Sequence, residues 1–439
     1  MTGRRRTRKT LLLGLPRLSR RVRRRALLSA GAAAACASLA AACGVVPGAT
    51  GASGDDAVTV MTWAPENTGA TNKPGMPAMA RAYARWVNAH GGIAGRRLKV
   101  LTCNEGNDSV TAAKCALRAV KENVVAVVGS YSQDSDSFFP PLEGAGIPYI
   151  GGYGVTTAEF TRALSYPVNG GQPALLAGLG KELAPGCGPV ALVRPDTIAG
   201  DELPGMLDAG LRAGGHPAAH DQRAPEDATE YSGQSGLALR RATAGPGHPG
   251  CVIPALGERT DIFMDSFRRD RESFPSVRTA AVVGSVDQTV IDAGGGASGP
   301  YEGSYVTGWY PVASDPRWDP MKKVINQEAF GDNRIDPADP GVQTTWIAYT
   351  VLRAVLEKIG GGEVTADSVH RTLDAGLPVG TGGLTPTLNW RLRDLLASVG
   401  FARMVNYDVT LQQVREGRLV AATRGFVDVR GTLERADVS

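Results

Sequence analysis

The sequence predicts an α/β architecture of two lobes, each a mostly parallel sheet with helices on both faces. Three observations predict it. Strand-like runs and amphipathic helical runs alternate in βα order, which implies right-handed crossovers and parallel pairing. The alternation restarts after Tyr166-Pro167-Val168. Beyond an N-terminal leader of 42 residues, 397 of the 439 residues remain, more than one hydrophobic core usually serves.

The elements follow in order. Residues 58–63 read as a strand. Met76, Met79, Tyr83, Trp86 and Val87 fall at helical spacing, and Asn88-Ala89-His90-Gly91-Gly92 stops that helix. Residues 98–102 are a strand, and Asp108 caps a helix whose expected inner face is Val110, Ala113, Leu117 and Val120. Residues 124–128 are four valines and an alanine, as a strand buried on both faces requires. A helix, a strand at 147–150, a loop and a short helix near 158–164 complete the first run. The second run holds helices at 174–183, 201–213 and 261–269, and strands at 190–193, 251–255 and 280–284. A strand at 305–310 and helices at 343–359 and 366–374 follow. Ligands in such Rossmann-like sheets sit outside the carboxyl ends of the strands. The loops after Val128, Ile150, Ala255 and Gly284 are therefore the expected walls of one cleft.

The leader carries eleven Arg and Lys residues among its first 25, no acid before Asp55, and an apolar run from 26 to 42. A basic start, an apolar middle and small residues at a cut site form a signal-peptide pattern. Leu39-Ala40-Ala41-Ala42-Cys43 is lipobox-like, with Leu four rather than three residues before the Cys; Cys36 is the alternative lipid acceptor. Arg24-Arg25-Ala26-Leu27-Leu28 resembles a twin-arginine export signal, and the general secretory route stays open. An uncleaved membrane anchor over 26–46 is the competing reading. The expected arrangement is residues 1–42 removed, Cys43 lipidated, residues 43–57 a Gly/Ala/Ser-rich tether, and the rest on the outer face of the cytoplasmic membrane. Without the leader's basic residues, 36 Lys and Arg face 43 Asp and Glu. The apparent positive charge belongs to the leader, and nucleic acid is excluded as a partner.

Four cysteines remain: Cys103, Cys115, Cys187 and Cys251. An even number in an oxidising compartment suggests two disulfides, with three pairings open. Cys103 ends a strand and Cys115 sits in the next helix, so 103–115 is the natural local pair. Cys187 and Cys251 each precede or begin a short strand, and neighbouring parallel strands would set those starts side by side. No CxxC spacing points to metal.

Val87–Gly95 reads VNAHGGIAG. RRLKVLTCNEGNDSVTAAKCALRAV follows, then VVAVVGSYSQDSDSFFPPLEGAGIPYIGG. These runs resemble the type I periplasmic-binding fold of bacterial solute-binding proteins, and within it the branched-chain amino acid (leucine/isoleucine/valine) binding group. The resemblance is strong over 58–161, collinear through 284, and visible again at 343–356 and at 383–390, GLTPTLNW. It implies two lobes, 58–167 with 309–378 and 168–308 with 379–439, joined by three hinge crossovers near 166–170, 307–311 and 377–382. It also implies capture of a small polar solute by hinge closure and delivery to an ABC permease with its ATPase, with no cofactor. A ligand-sensing module of a signalling system is the alternative.

The resemblance also places the site. A serine-bearing loop holds the ligand carboxylate, which assigns Ser130, Tyr131 and Ser132. The next loop adds a backbone group and a threonine, matching Gly154 and Thr156 beside Tyr153. Oriented hydroxyls and amides at strand ends make an anion pocket on physical grounds as well. Tyr131, Tyr153 and Trp63 are expected either to stack on the ligand or to pack the cleft rim. Asp287 stands about one residue from the place of the family's ammonium-binding carboxylate, and Ala255-Leu256-Gly257-Glu258 lacks the family's aromatic. Both departures fall where the family holds the ammonium and side chain of an amino acid.

Other motif-like strings lack their context. Gly294-Gly295-Gly296-Ala297-Ser298-Gly299 precedes a strand-like run and is expected to be a loop. His216, His220 and Asp221 fall in an expected surface loop with no further metal ligand. Nothing orders Ser, His and Asp into a catalytic set, so no enzymatic activity is expected.

Overall fold

The computed structural model describes residues 57–243 and 249–436; the leader, Cys43 and nearly all of the tether lie outside the described residues. The first sheet holds β1 (Val58–Ala64), β2 (Leu98–Asn104), β3 (Val127–Val128), β4 (Tyr149–Ile150) and β5 (Ser165–Tyr166), in the order β2-β1-β3-β4-β5. Every pairing in it is parallel, with Met61 opposite Val127 and Trp63 opposite Cys103. The second sheet holds β6 (Val190–Pro195), β7 (His220–Ala224), β8 (Cys251–Pro254), β9 (Arg278–Val282), β10 (Tyr305–Gly308), β11 (Asp408–Arg415) and β12 (Arg418–Ala421). Its order is β12-β11-β10-β9-β8-β6-β7, and β13 (Val427–Asp428) also pairs with β11. β6 to β10 are parallel; β11 and β12 close the edge as an antiparallel hairpin.

β1 shows why the sheets are buried on both faces. Its side chains alternate sides. Val58, Val60 and Ala64 join the core beneath helices Gly75–Ala89 and Pro340–Ile359. Met61 and Trp63 join a separate core with Phe138, Phe139 and Tyr149 under the opposite helices. The long helix Pro340–Ile359 starts on Asp339, whose carboxylate accepts from the N–H of Gly341 and Val342, and Pro340 supplies the fixed φ favoured at the first turn. Thr345 Oγ1 then donates to Gly129 O, tying this helix to the end of β3.

The chain crosses between the sheets three times: after β5, after β10, and before β11. The third passage differs in place from the expectation at 377–382. Residues beyond 382 stay beside the first sheet. Trp390 packs edge-on against Tyr166, and Arg403 donates to Ser165 O. Only with Asn406, whose side chain donates to Val168 O, does the chain turn toward β11.

Both disulfides form as the local and strand-start arguments suggested, Cys103 with Cys115 and Cys187 with Cys251. The first corrects the face expected of helix Ser109–Lys121. Its buried residues are Ala112, Cys115, Ala116 and Ala119, while Val110 and Leu117 are 59% and 57% exposed. Cys115 must face β2 to reach Cys103. The small alanines beside it let the helix lie close to the sheet, which turns the larger apolar residues outward. A second correction concerns 220–224. The expected loop is the edge strand β7, in which Asp221 accepts from Arg194 at 2.8 and 2.9 Å. Its polar sequence HDQRA suits an exposed edge, which is why it carries no apolar signal. Among the described residues no group of His, Cys, Asp and Glu is placed to hold a metal.

Candidate functional site

The carboxyl ends of strands from both sheets face one cavity of about 990 Å³, its solvent-open mouth included. All four loops expected as walls contribute: Tyr131 after β3, Tyr153 after β4, Leu256 after β8 and Ser285 after β9. The aromatic side of the cavity is a chain of edge-on rings. Tyr131 and Tyr153 have centroids 5.1 Å apart at 64°, and Tyr153 and Trp309 are 5.1 Å apart at 86°. Backbone bonds hold both tyrosines in place, Tyr131 N–H to Trp63 O and Tyr153 N–H to Ser130 O. Trp309 Nε1 donates to Gly171 O across the crossover region. Burial pushes the Tyr131 phenol up to about 12 and Tyr153 higher still, so both remain neutral hydroxyls.

Two cations border the cavity. Lys73 is 8% exposed, pairs with Asp339 at 3.3 Å, and sits 5.6 Å from the Tyr153 ring centroid. Arg259 follows β8, and its Nη2 donates to Gly69 O at 2.9 Å, joining the two sides of the cleft. Thr157 makes a second bridge, donating to Glu202 at 2.7 Å. Glu226, an exposed residue, is the acidic side chain found on the cavity wall among the described residues.

The remaining residues singled out in the sequence are placed elsewhere. Ser130 is buried and its Oγ accepts from Trp63 N–H at 3.1 Å. Ser132 is buried too. Its hydroxyl donates to Glu105 Oε2 at 3.0 Å and accepts from Asp134 N–H. Burial raises the Glu105 carboxyl above its usual range. Trp63 packs in the core against Phe138 and Tyr149, with centroids at 5.2 and 5.9 Å. Asp287 caps helix Gln288–Ala293 through Val290 N–H and lines a different cavity. Thr156 borders a small neighbouring space with Gln172 and Met206.

The loop after β4 holds an internal anion. Glu159, 2% exposed, accepts from Gly154 N–H at 3.1 Å, Val155 N–H at 2.9 Å and Thr156 N–H at 3.3 Å. The amides expected to hold a ligand carboxylate thus converge on one of the protein's own. Burial pushes Glu159 up to about 7, against the pull of the three amide donors. Gly154 makes this loop possible. Its φ is +85°, and a Cβ there would lie 2.6 Å from Gly171 Cα and 2.8 Å from Asn169 Oδ1. Gly154→Ala combines left-handed strain with a backbone clash, so a loss of about 2–4 kcal/mol is expected in urea unfolding. A loss under about 1 kcal/mol would show that the loop relaxes freely.

Lys73, Arg259, Trp309 and Glu159 went unread in the sequence. Trp309 had a signal: an aromatic pair, Trp309-Tyr310, directly after the last parallel strand of the second sheet. Lys73 and Arg259 sit in polar loops and had none.

With this geometry in place, the comparisons with known proteins are specific. The family model described as periplasmic binding protein matches residues 67–394, and the chain belongs to that family. As a member it is a solute-binding protein and not an enzyme. No curated protein sequence matches it. Solved structures share its fold at low identity. A substrate-binding periplasmic protein from Ralstonia solanacearum is 16% identical with a TM-score of 0.65, covering 83% of this chain and 99% of its own. An ABC transporter solute-binding protein from Rhodopseudomonas palustris BisB5, in complex with 3,4-dihydroxybenzoic acid, is 14% identical with a TM-score of 0.66, covering 85% and 98%. A possible leucine/isoleucine/valine-binding protein from Rhodopirellula baltica SH 1 is 14% identical with a TM-score of 0.64, covering 84% and 96%.

Proposed function

We propose that this protein is the extracytoplasmic solute-binding component of an ABC importer, anchored through lipid on Cys43 and delivering its ligand to the permease and ATPase subunits. The observation that carries the reading is the cavity walled by strand ends of both sheets, which a ligand would join by closure about the crossovers. Its lining supports a particular ligand class. Three edge-on aromatics suit a flat apolar body, and Lys73 and Arg259 suit a carboxylate at one end. The benzoate-type ligand of the Rhodopseudomonas relative agrees with this. An α-amino acid fits less well, because Asp287, the expected ammonium partner, borders another cavity.

A thermal-shift screen of aromatic and aliphatic carboxylates tests the reading, with X-ray scattering to follow closure. A ligand at 100 times its dissociation constant should stabilise by about 2.7 kcal/mol. Arg259→Ala should weaken a carboxylate hit about tenfold and leave the matching neutral amide unaffected, the loss of one charge-assisted hydrogen bond. If no carboxylate raises the melting temperature or compacts the molecule, the assignment of this cavity fails.

A further inference from the structure

Helix Ser109–Lys121 carries an apolar stripe on its outer side. Val110, Ala113, Leu117 and Val120 recur at the three- and four-residue steps of one helix face. Val110 and Leu117 are 59% and 57% exposed, and Ala113 and Val120 are half-buried. The opposite face, Ala112, Cys115, Ala116 and Ala119, meets the sheet, and the bridge from Cys115 to Cys103 holds it there. A stripe at this spacing ordinarily packs inward. Held outward, it marks a surface with a partner.

The surroundings identify that partner. Lys114 and Lys121 flank the stripe and are exposed. Arg118, also exposed, donates to Thr102 O of the edge strand β2, which carries the exposed Lys99. Within residues 108–122 the acids are Asp108 and Glu122, one at each end. A symmetric pairing of two copies would bring the cations together, whereas an anionic surface attracts them. The tether enters at the same place. After the helix the chain returns to β1, with Val124 N–H donating to Ala119 O and Val125 N–H to Thr59 O. The last turn of the helix therefore lies beside the start of β1, where the chain arrives from Cys43. The 14 residues of Gly44–Ala57 span at most about 50 Å, so an anchor at Cys43 keeps this flank within reach of the bilayer.

We propose that the outer face of helix Ser109–Lys121 docks on an anionic phospholipid surface, with Val110 and Leu117 entering the headgroup region and Lys114 and Lys121 meeting the phosphates. Interfacial helices bind in this way, by apolar area and charge together. The tether makes the contact intramolecular and so strengthens a weak surface. The proposal rests on an anchor at the N-terminal end, by lipid on Cys43 or by an uncut leader, and its test uses neither.

Every described strand and helix lies beyond residue 57, so the chain from Gly44 onward carries the whole described fold without leader or lipid. That protein is floated with vesicles of phosphatidylglycerol and phosphatidylcholine in equal parts, and with vesicles of phosphatidylcholine alone. Binding to the anionic vesicles is expected, weakened by added salt and accompanied by slower amide exchange over 109–121. Leu117→Glu should lower the partition onto vesicles at least about tenfold, and so should Lys114→Gln with Lys121→Gln. These side chains are exposed, so neither the melting temperature nor the affinity for a carboxylate in the cavity between the strand ends should move. This proposal and the transport reading therefore fail separately. No binding to anionic vesicles, equal binding to both kinds, or unchanged binding in Leu117→Glu would overturn it. So would a dimer in solution scattering that Leu117→Glu dissolves, in place of vesicle binding, which would make this face a contact between copies.

Discussion

Raising the pH from 5 to 8 should destabilise the folded protein, and Glu159→Gln should make that slope shallower. Glu159 is 2% exposed, and burial lifts its carboxyl from 4.5 to about 7 despite three amide donors. A group whose folded value is raised binds more protons folded than unfolded across that window. Its contribution is fully present below about 4.5 and is lost as pH rises through about 7. A shift of this size corresponds to about 3 kcal/mol. Glu182, pushed up to about 8 by burial against its bond from Thr307, acts in the same direction. Asp287 and Asp408, each at about 6 chiefly through burial, add to it. Melting temperatures at pH 5, 6, 7 and 8 read this directly. A flat or rising profile would show that water reaches the Glu159 pocket. Glu159→Ala is the harsher probe: it strands three amide groups, all on buried or half-buried residues, and should cost about 3–5 kcal/mol at any pH.

The fold was legible because its signals are local and periodic. The valine run at 124–128 and the amphipathic spacing at 76–87 depend only on near neighbours in sequence; the helix forms where expected, and the strand forms at the end of its run, Val127–Val128. The disulfides were legible for the same reason, since strand starts fix where a cysteine can reach. What failed depended on rotation or on edges. The outward face of helix Ser109–Lys121 was set by Cys115 turning toward Cys103, a constraint that outweighs an apolar stripe. β7 and the β11–β12 hairpin sit at sheet edges, where polar residues are tolerated and alternation fades. The cavity walls were legible from topology, because strand ends of a parallel sheet share one side. The identity of the contacting side chains was not. Ser130 and Ser132 read as ligand hydroxyls, yet Trp63 N–H and Glu105 engage them from within the core. A sequence shows that a hydroxyl is present at a strand end, but the partner that reaches it comes from 27 or 67 residues away.

Removing the Cys187–Cys251 bridge should cost more stability than removing Cys103–Cys115, and the two losses should come from different places. The first joins residues 64 apart, the second residues 12 apart. Loop-closure entropy then assigns about 4 kcal/mol to the longer loop and about 3 to the shorter. In the folded protein the longer bridge is flanked by backbone bonds, Gly188 N–H to Pro249 O and Cys251 N–H to Pro189 O, so the β6–β8 pairing persists without it. Its loss acts on the unfolded chain. Cys187→Ser with Cys251→Ser should therefore lower the melting temperature by roughly 5 °C, with the cavity between the strand ends intact. The shorter bridge holds helix Ser109–Lys121 on its alanine face, and no apolar side chain larger than a half-buried valine replaces it there. Cys103→Ser with Cys115→Ser should free that helix to roll Val110 and Leu117 inward, seen as faster amide exchange across 109–121 than in any neighbouring helix. Equal losses from both pairs, with no change in exchange over 109–121, would mean that packing and not the bridge sets the face of that helix.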